Sequence, residues 1–543
     1  MRLRVRVKLL IAVIGLCVIS RGVTAGPPAS PQDVATQIDA LVTAHWQADK
    51  ITPTTLSDDA EFCRRIYLDI CGRIPPASEV RDFLADPSPD KRAKLVDRLL
   101  DSPSYLVNYT NVWRAIMLPE ATSDETIRFF LPSFEAWLRS RLAENRNLAQ
   151  IAEELLTLPL GSESVANIEV PDQPSPLAFY RAKQGKPEEI AGASARIFLG
   201  VRIECAQCHN HPFDKWKREE FWSYAAFFKE TRNAPPTEAP ADAIQAALNA
   251  ATGADPHSIR IPETDIVVPT RYLGGDVPDW NVVPDSRANL ARWMTSKENP
   301  YFAKAAVNRV WAHHFGLGIV DPVDDFGMNN PPSHPEILDL LAKEFIAHEF
   351  DFKFLIRTIT ATRAYQLSSI RTDESQDNPR QFARMPVRGL TAEQIFDSLA
   401  QATGYLQPFD PEQPLNFNQD QARQEFLETF ETDTGAERQS TILQALALMN
   451  GSFASDATSV QEILRSRNDK NGTLIAIAEA PFFTPEQRVD ALFLTTLSRL
   501  PTGSEKQKFL DYLQKHAATD VPTRPLADLF WTLLNTTEFL SNH

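Results

Sequence analysis

Val307-Asn308-Arg309-Val310-Trp311-Ala312-His313-His314 sets Val307, Val310, Trp311 and His314 at i, i+3, i+4 and i+7. That spacing gathers the four on one face of an α-helix, and their types predict a buried face. The same period recurs along the chain. Ile38, Leu41, Val42 and His45 form one stripe, and Leu95, Leu99 and Leu100 form another behind a Pro89-Asp90 start. Phe134, Trp137, Leu138 and Leu142 make a third. Gly72 with Ile74-Pro75-Pro76 ends one helix, and Ser78-Glu79-Val80 begins the next. Residues 335–350, 353–367 and 391–403 also read as helices. Residues 187–200 read as a helix whose run Ala191-Gly192-Ala193-Ser194-Ala195 suits close approach by a neighbour. The expected fold class is mainly α.

The texture changes after residue 230. Residues 233–240 are Pro-rich and read as a loop, and 241–251 as a short surface helix. From 258 to 272 the alternation around Ile259, Ile261 and Ile266-Val267-Val268 predicts two short strands, closed by Gly274-Gly275-Asp276. This organisation gives two helical domains, 31–230 and 285–543, with a linker and small β element at 231–284. Residues 407–418 read as a Pro- and Asn-rich loop, and the chain is expected to end in a helix over 531–543.

Residues 1–25 read as a secretory signal. Arg2, Arg4, Arg6 and Lys8 precede an apolar run at 9–19, and Val23-Thr24-Ala25 offers small residues for cleavage. A retained anchor is the alternative, but the run is short for a bilayer. No later stretch suits a membrane span, so none is expected after signal removal. Cleavage removes Cys17 and five basic residues, moving the formal charge from −16 to −21. Such acidity argues against nucleic acid or anionic lipid as a general partner. Four cysteines remain, too few for a disulfide scaffold of this size. Cys63 and Cys71 lie eight residues apart on an expected helix, about 12 Å, beyond disulfide reach, and read as buried apolar residues.

The strongest chemical signal is Cys205-Ala206-Gln207-Cys208-His209. Two thiols at this spacing can reach the two vinyl groups on one porphyrin edge, and the adjacent His can bind iron axially. A covalent haem c at Cys205, Cys208 and His209 is therefore expected. Two other readings stay open. Cys205, Cys208, His211 and Asp214, or His209 in place of one of them, could hold zinc, because thiolates and imidazoles suit it. Cys205 and Cys208 could instead pair as a disulfide. Met328, in the loop Gly327-Met328-Asn329-Asn330-Pro331-Pro332, is the most available methionine for the iron's sixth position. Met117, Met294, Met385 and Met449 read as packing. Trp216 and the aromatics of 221–228 could wall a haem or fill a core, and core is the default.

Ile197-Phe198-Leu199-Gly200-Val201 leading into Cys205 to Asp214 resembles the signature of the planctomycete secreted cytochrome-like proteins. Arg64-Arg65-Ile66-Tyr67-Leu68-Asp69 and Gly72-Arg73-Ile74-Pro75-Pro76 are similar to that domain's opening. Val307-Asn308-Arg309-Val310-Trp311, Pro322-Val323-Asp324-Asp325-Phe326 and Asn330-Pro331-Pro332-Ser333-His334-Pro335 resemble the C-terminal domain that follows it. Arg363 to Ser368 and Leu533 to Leu540 extend that match, which spans nearly all of the expected mature chain. The resemblance implies two domains of unknown function, the first labelled cytochrome-like from its Cys-His motif. Many relatives add an N-terminal cytochrome c domain. Here residue 31 already enters the first shared domain, so the resemblance leaves Cys205 to His209 as the one expected haem site.

Asn308, Arg309, His313, Asp324, Asp325 and His334 cluster around turns of the second domain. They could build a cleft, or they could cap helices while Arg309 pairs with Asp324 or Asp325. No phosphate loop, nucleophile elbow or H-E-x-x-H is present, so common hydrolase and nucleotide-binding classes lose support. The leading expectation is an exported, periplasmic or secreted mono-haem protein serving an extracytoplasmic redox partner or oxidoreductase. The alternative is a non-haem protein whose Cys/His cluster holds a structural or catalytic metal, acting as an interaction or catabolic accessory module. A third is an enzyme oxidising a carbohydrate in a cleft between domains.

Overall fold

The Val307–His314 face lies on the helix Phe302–Phe315, ended by Gly316 in the left-handed region, and Val307, Val310, Trp311 and His314 are all buried. The structure is a computed structural model describing residues 28–160, 169, 171–231, 255–405, 421–430, 453, 458, 472–516 and 523–543. The expected signal at 1–25 with Cys17, the expected loops at 233–240 and 407–418, the expected helix at 241–251 and Met449 lie outside these residues.

Among the described residues the chain is mainly α, as its periodicities require. Capping chemistry sets the ends. Asp58 accepts from the Glu61 amide to start Asp59–Cys71, and Thr391 and Gln394 form a capping box at Ala392–Thr403. The two expected strands form an antiparallel pair, Ser258–Arg260 with Val267–Pro269. A second pair was not foreseen: Arg388–Gly389 joins Ser541–Asn542, so the chain's end is a strand following the helix Arg524–Leu534. No helix among the described residues is long and apolar enough to cross a membrane.

Two apolar cores organise these elements. The larger runs from Val34 to Met385 and unites helices from both sides of residues 231–284, including Pro31–Ala48, Pro103–Met117, Phe302–Phe315 and Phe352–Ala361. The smaller gathers Ala392–Thr403, Pro485–Thr496 and Arg524–Leu534 around Phe396, Phe493 and Phe530. One helix serves both. Asp59–Cys71 is buried on every side from Phe62 to Cys71, giving Phe62, Ile66 and Ile70 to the first core and Leu68 to the second. Cys63 and Cys71 are free thiols packed within it.

A helix buried all round has no polar face, yet this one carries Arg64, Arg65 and Asp69. Their partners come from the far end of the chain. Arg64 donates to the carbonyls of Thr496 (3.0 Å), Glu538 (3.1 Å) and Phe539 (2.8 Å). Arg65 donates to the Tyr365 carbonyl at 2.6 Å and pairs with Glu61 at 2.7 Å. Asp69 accepts from Arg388 (2.8 Å), Tyr365 (2.7 Å) and Asn542 (2.7 Å). The opening motif of the sequence thus locks the closing one in place.

Candidate functional site

Gly200 governs the approach to the Cys-His segment. The helix Pro187–Ser194 continues as a π-turn, Ala195–Leu199, and Gly200 ends it at φ +67°. A Cβ there would stand 2.8 Å from the Phe326 ring, so glycine permits both the turn and the contact. The Phe326 amide donates to the Gly200 carbonyl at 2.9 Å. Arg309 completes the turn by donating to the carbonyls of Arg196 (2.6 Å) and Ile197 (3.1 Å).

The chain then enters a 3-10 turn, Glu204–Gln207. Cys205 lies within this turn and Cys208 follows it directly as the capping residue. Both thiols are free and exposed, while Ala206 between them is buried. The Gln207 carbonyl anchors the turn, accepting from Trp222 Nε1 at 3.0 Å and from Arg218 Nε at 3.4 Å. His209 is exposed, and its Nδ1–H donates to the Asn210 carbonyl at 2.8 Å. That bond fixes the tautomer and leaves Nε2 as the nitrogen with a free lone pair.

His211 and Asp214 are engaged in their own turns. Phe213 N–H donates to His211 Nδ1 at 3.2 Å, and Lys215 N–H to Asp214 Oδ1 at 2.6 Å. The described residues contain no group of three or more His, Cys, Asp and Glu side chains arranged to hold a metal. Trp216, Phe221, Trp222, Phe227 and Phe228 are buried and belong to the larger core.

The second half of the chain supplies the other wall. Asp324 pairs with Arg202 at 2.6 Å and Arg196 at 3.6 Å, in place of the expected pairing with Arg309. The reason is that Arg309 is buried against the open carbonyls of the π-turn, whereas Arg202 reaches Asp324 from the loop. Asn329 Nδ2 donates to the Phe213 carbonyl at 3.0 Å. Loop 324–330 therefore lies along the segment that follows Cys208. Asn329 and Arg218 are positioning residues not foreseen in the sequence. The Asn-Asn-Pro-Pro turn offered a signal for Asn329; Arg218 had none.

The remaining polar candidates are structural. Asn308 is buried and clamps its own loop, donating to the Val320 carbonyl at 2.7 Å and accepting from the Val320 amide at 2.9 Å. His313 Nε2–H donates to the Asp69 carbonyl at 2.9 Å, and His334 packs 4.3 Å from the His45 ring. Burial pushes His313 down to about 3 and His334 down to about 4, and it also lowers His314. Each stays neutral in the fold while the unfolded chain protonates it near 6.5. Below that pH the unfolded state binds more protons, so the stability present above pH 6.5 is lost on acidification. We expect unfolding free energy to fall by up to about 1.4 kcal/mol per pH unit for each histidine. Urea titrations from neutral to mildly acid pH measure this, and a flat profile would contradict it. His313→Gln should flatten the slope.

Residues 37–233 match the family model PSCyt2, a protein of unknown function (DUF1549), and residues 286–513 match PSD1, a protein of unknown function (DUF1553). No curated protein and no solved structure matches the chain. The Arg64–Asp69 helix and the Cys205–His209 turn fall in the first match, and the 324–330 loop in the second. The chain carries a PSCyt2 domain followed by a PSD1 domain.

Proposed function

We propose that this protein is exported and holds one covalent haem at Cys205, Cys208 and His209, through which it passes single electrons outside the cytoplasm. The observation that carries this reading is the exposed 3-10 turn. It and the residue that caps it carry two free, exposed thiols beside a histidine whose Nδ1 is committed to the Asn210 carbonyl. The donor set fits the group. Each thiol S–H would add across one vinyl group, a step with no net oxidation or reduction, and His209 Nε2 would face the iron. A haem bound there supplies one reversibly exchanged electron.

The chain's own residues do the positioning. Trp222 and Arg218 hold the Gln207 carbonyl and so anchor the backbone between the two cysteines. The Nδ1–H bond orients the His209 ring. A signal sequence would bring the thiols to the compartment where such attachment occurs, and the formal negative charge of the chain suits a basic redox partner there.

The test is export of the full chain in a bacterial host with haem-attachment machinery, followed by a haem stain after denaturing electrophoresis. One covalent haem per chain is expected, with the adduct on the peptide containing residues 205–209, and none in Cys205→Ser/Cys208→Ser. A folded, haem-free chain with one zinc per molecule would establish the metal reading instead.

A further inference from the structure

We propose that Met328 supplies the sixth ligand to the iron, through its thioether sulfur. The inference rests on the haem reading above and adds that the C-terminal domain completes the site of the N-terminal one.

Three observations carry it. First, Met328 is set apart from the other described methionines: Met117, Met294 and Met385 are fully buried in the core, whereas Met328 is 71% exposed. Second, its neighbours on both sides reach the segment that follows the Cys-His turn. Asn329 Nδ2 holds the Phe213 carbonyl at 3.0 Å, and a Cβ on Gly327 would stand 2.9 Å from Asp214 Oδ2. Met328 therefore sits between two residues that touch positions 213 and 214, although it lies more than a hundred residues away in sequence. Third, the adjoining segment also leaves a large apolar side chain in solvent, since Phe213 is 74% exposed.

The loop holds Met328 in a defined turn. The Asn330 amide donates to the Gly327 carbonyl at 3.2 Å, and Asn330 Nδ2 to the Asp325 carbonyl at 2.9 Å. These bonds close a turn with Met328 near its tip, and the Asp324–Arg202 pair fixes its base. His211 is poorly suited to the same task. It lies two residues from His209, and its Nδ1 already accepts from Phe213. A thioether opposite an imidazole favours the reduced iron and raises the potential of a c-type centre.

The test uses the exported, haem-loaded full chain, with optical and magnetic spectra as the readout. Wild type is expected to be low-spin, with the far-red sulfur-to-iron charge-transfer band in its oxidised form. Met328→Ala should abolish that band, convert the iron to high spin and open it to carbon monoxide in the reduced state. Met328→His should restore low spin with a lower reduction potential and no such band. In the haem-free chains, where Met328 is exposed, wild type and both variants should show the same urea midpoint. A haem-loaded Met328→Ala protein with an unchanged spectrum overturns the ligand alone, as does a five-coordinate wild type. A chain with no attached haem overturns the haem reading and the ligand with it.

Discussion

Asp69→Ala is expected to lower the unfolding free energy by about 3–5 kcal/mol, because it leaves a buried guanidinium without its counter-charge. Asp69 is 1% exposed, and Arg388 reaches both of its oxygens, at 2.8 and 3.1 Å. Burial alone would raise the Asp69 carboxyl, yet Arg388 and the surrounding donors hold it below its ordinary value. The carboxylate is thus ionised in the interior, satisfied by Arg388, Tyr365 and Asn542. Asp69→Asn keeps the shape but removes the charge and turns one acceptor into a donor, so it should recover only part of the loss. Urea unfolding of both variants measures this, and a loss below about 1 kcal/mol for Asp69→Ala would contradict it.

Removal of residues 539–543 is expected to cost a comparable amount, about 3–5 kcal/mol, and to loosen the smaller core first. The deletion takes the Phe539, Ser541 and His543 carbonyls away from Arg64 and Arg65, and Asn542 away from Asp69. It also removes the Phe539 ring from the smaller core and the strand partner of Arg388–Gly389. Desolvation already pushes Arg64 down to about 10, so any further loss of acceptors leaves a cation in an apolar setting. Proteolysis in the native state should then begin within residues 472–538. Arg64→Ala should show the same pattern, because it strips the donor from the Thr496, Glu538 and Phe539 carbonyls instead. A truncated chain with an unchanged urea midpoint would refute the interlock.

The helices were legible because period and caps are local. Val307, Val310, Trp311 and His314 announce a face, and Gly72 with Pro75 and Pro76 announces an end. The partners of Arg64 and Asp69 were not legible, since they lie some 300 to 470 residues away in sequence. A signal was nonetheless present: from Phe62 to Cys71 every helical face carries an apolar residue, so the charged residues between them have no solvent side. Arg309 misled for a related reason. Sequence proximity favoured Asp324, whereas the π-turn before Gly200 left carbonyls that only a buried donor could meet. At the site, the spacing of Cys205, Cys208 and His209 was legible. The closeness of the 324–330 loop to it was not, because it depends on Phe326 meeting Gly200 and Asn329 meeting Phe213.

The central claim is that Cys205, Cys208 and His209 hold one haem covalently. Its most direct test is the pyridine haemochrome spectrum of the full chain, exported with haem-attachment machinery and washed with acidified acetone to strip loose haem. The account predicts one haem per chain with the absorption of two saturated vinyl positions, lost entirely in a Cys205→Ser/Cys208→Ser chain that remains folded. A folded wild-type chain that releases all of its haem into the acetone, or carries none, would contradict it.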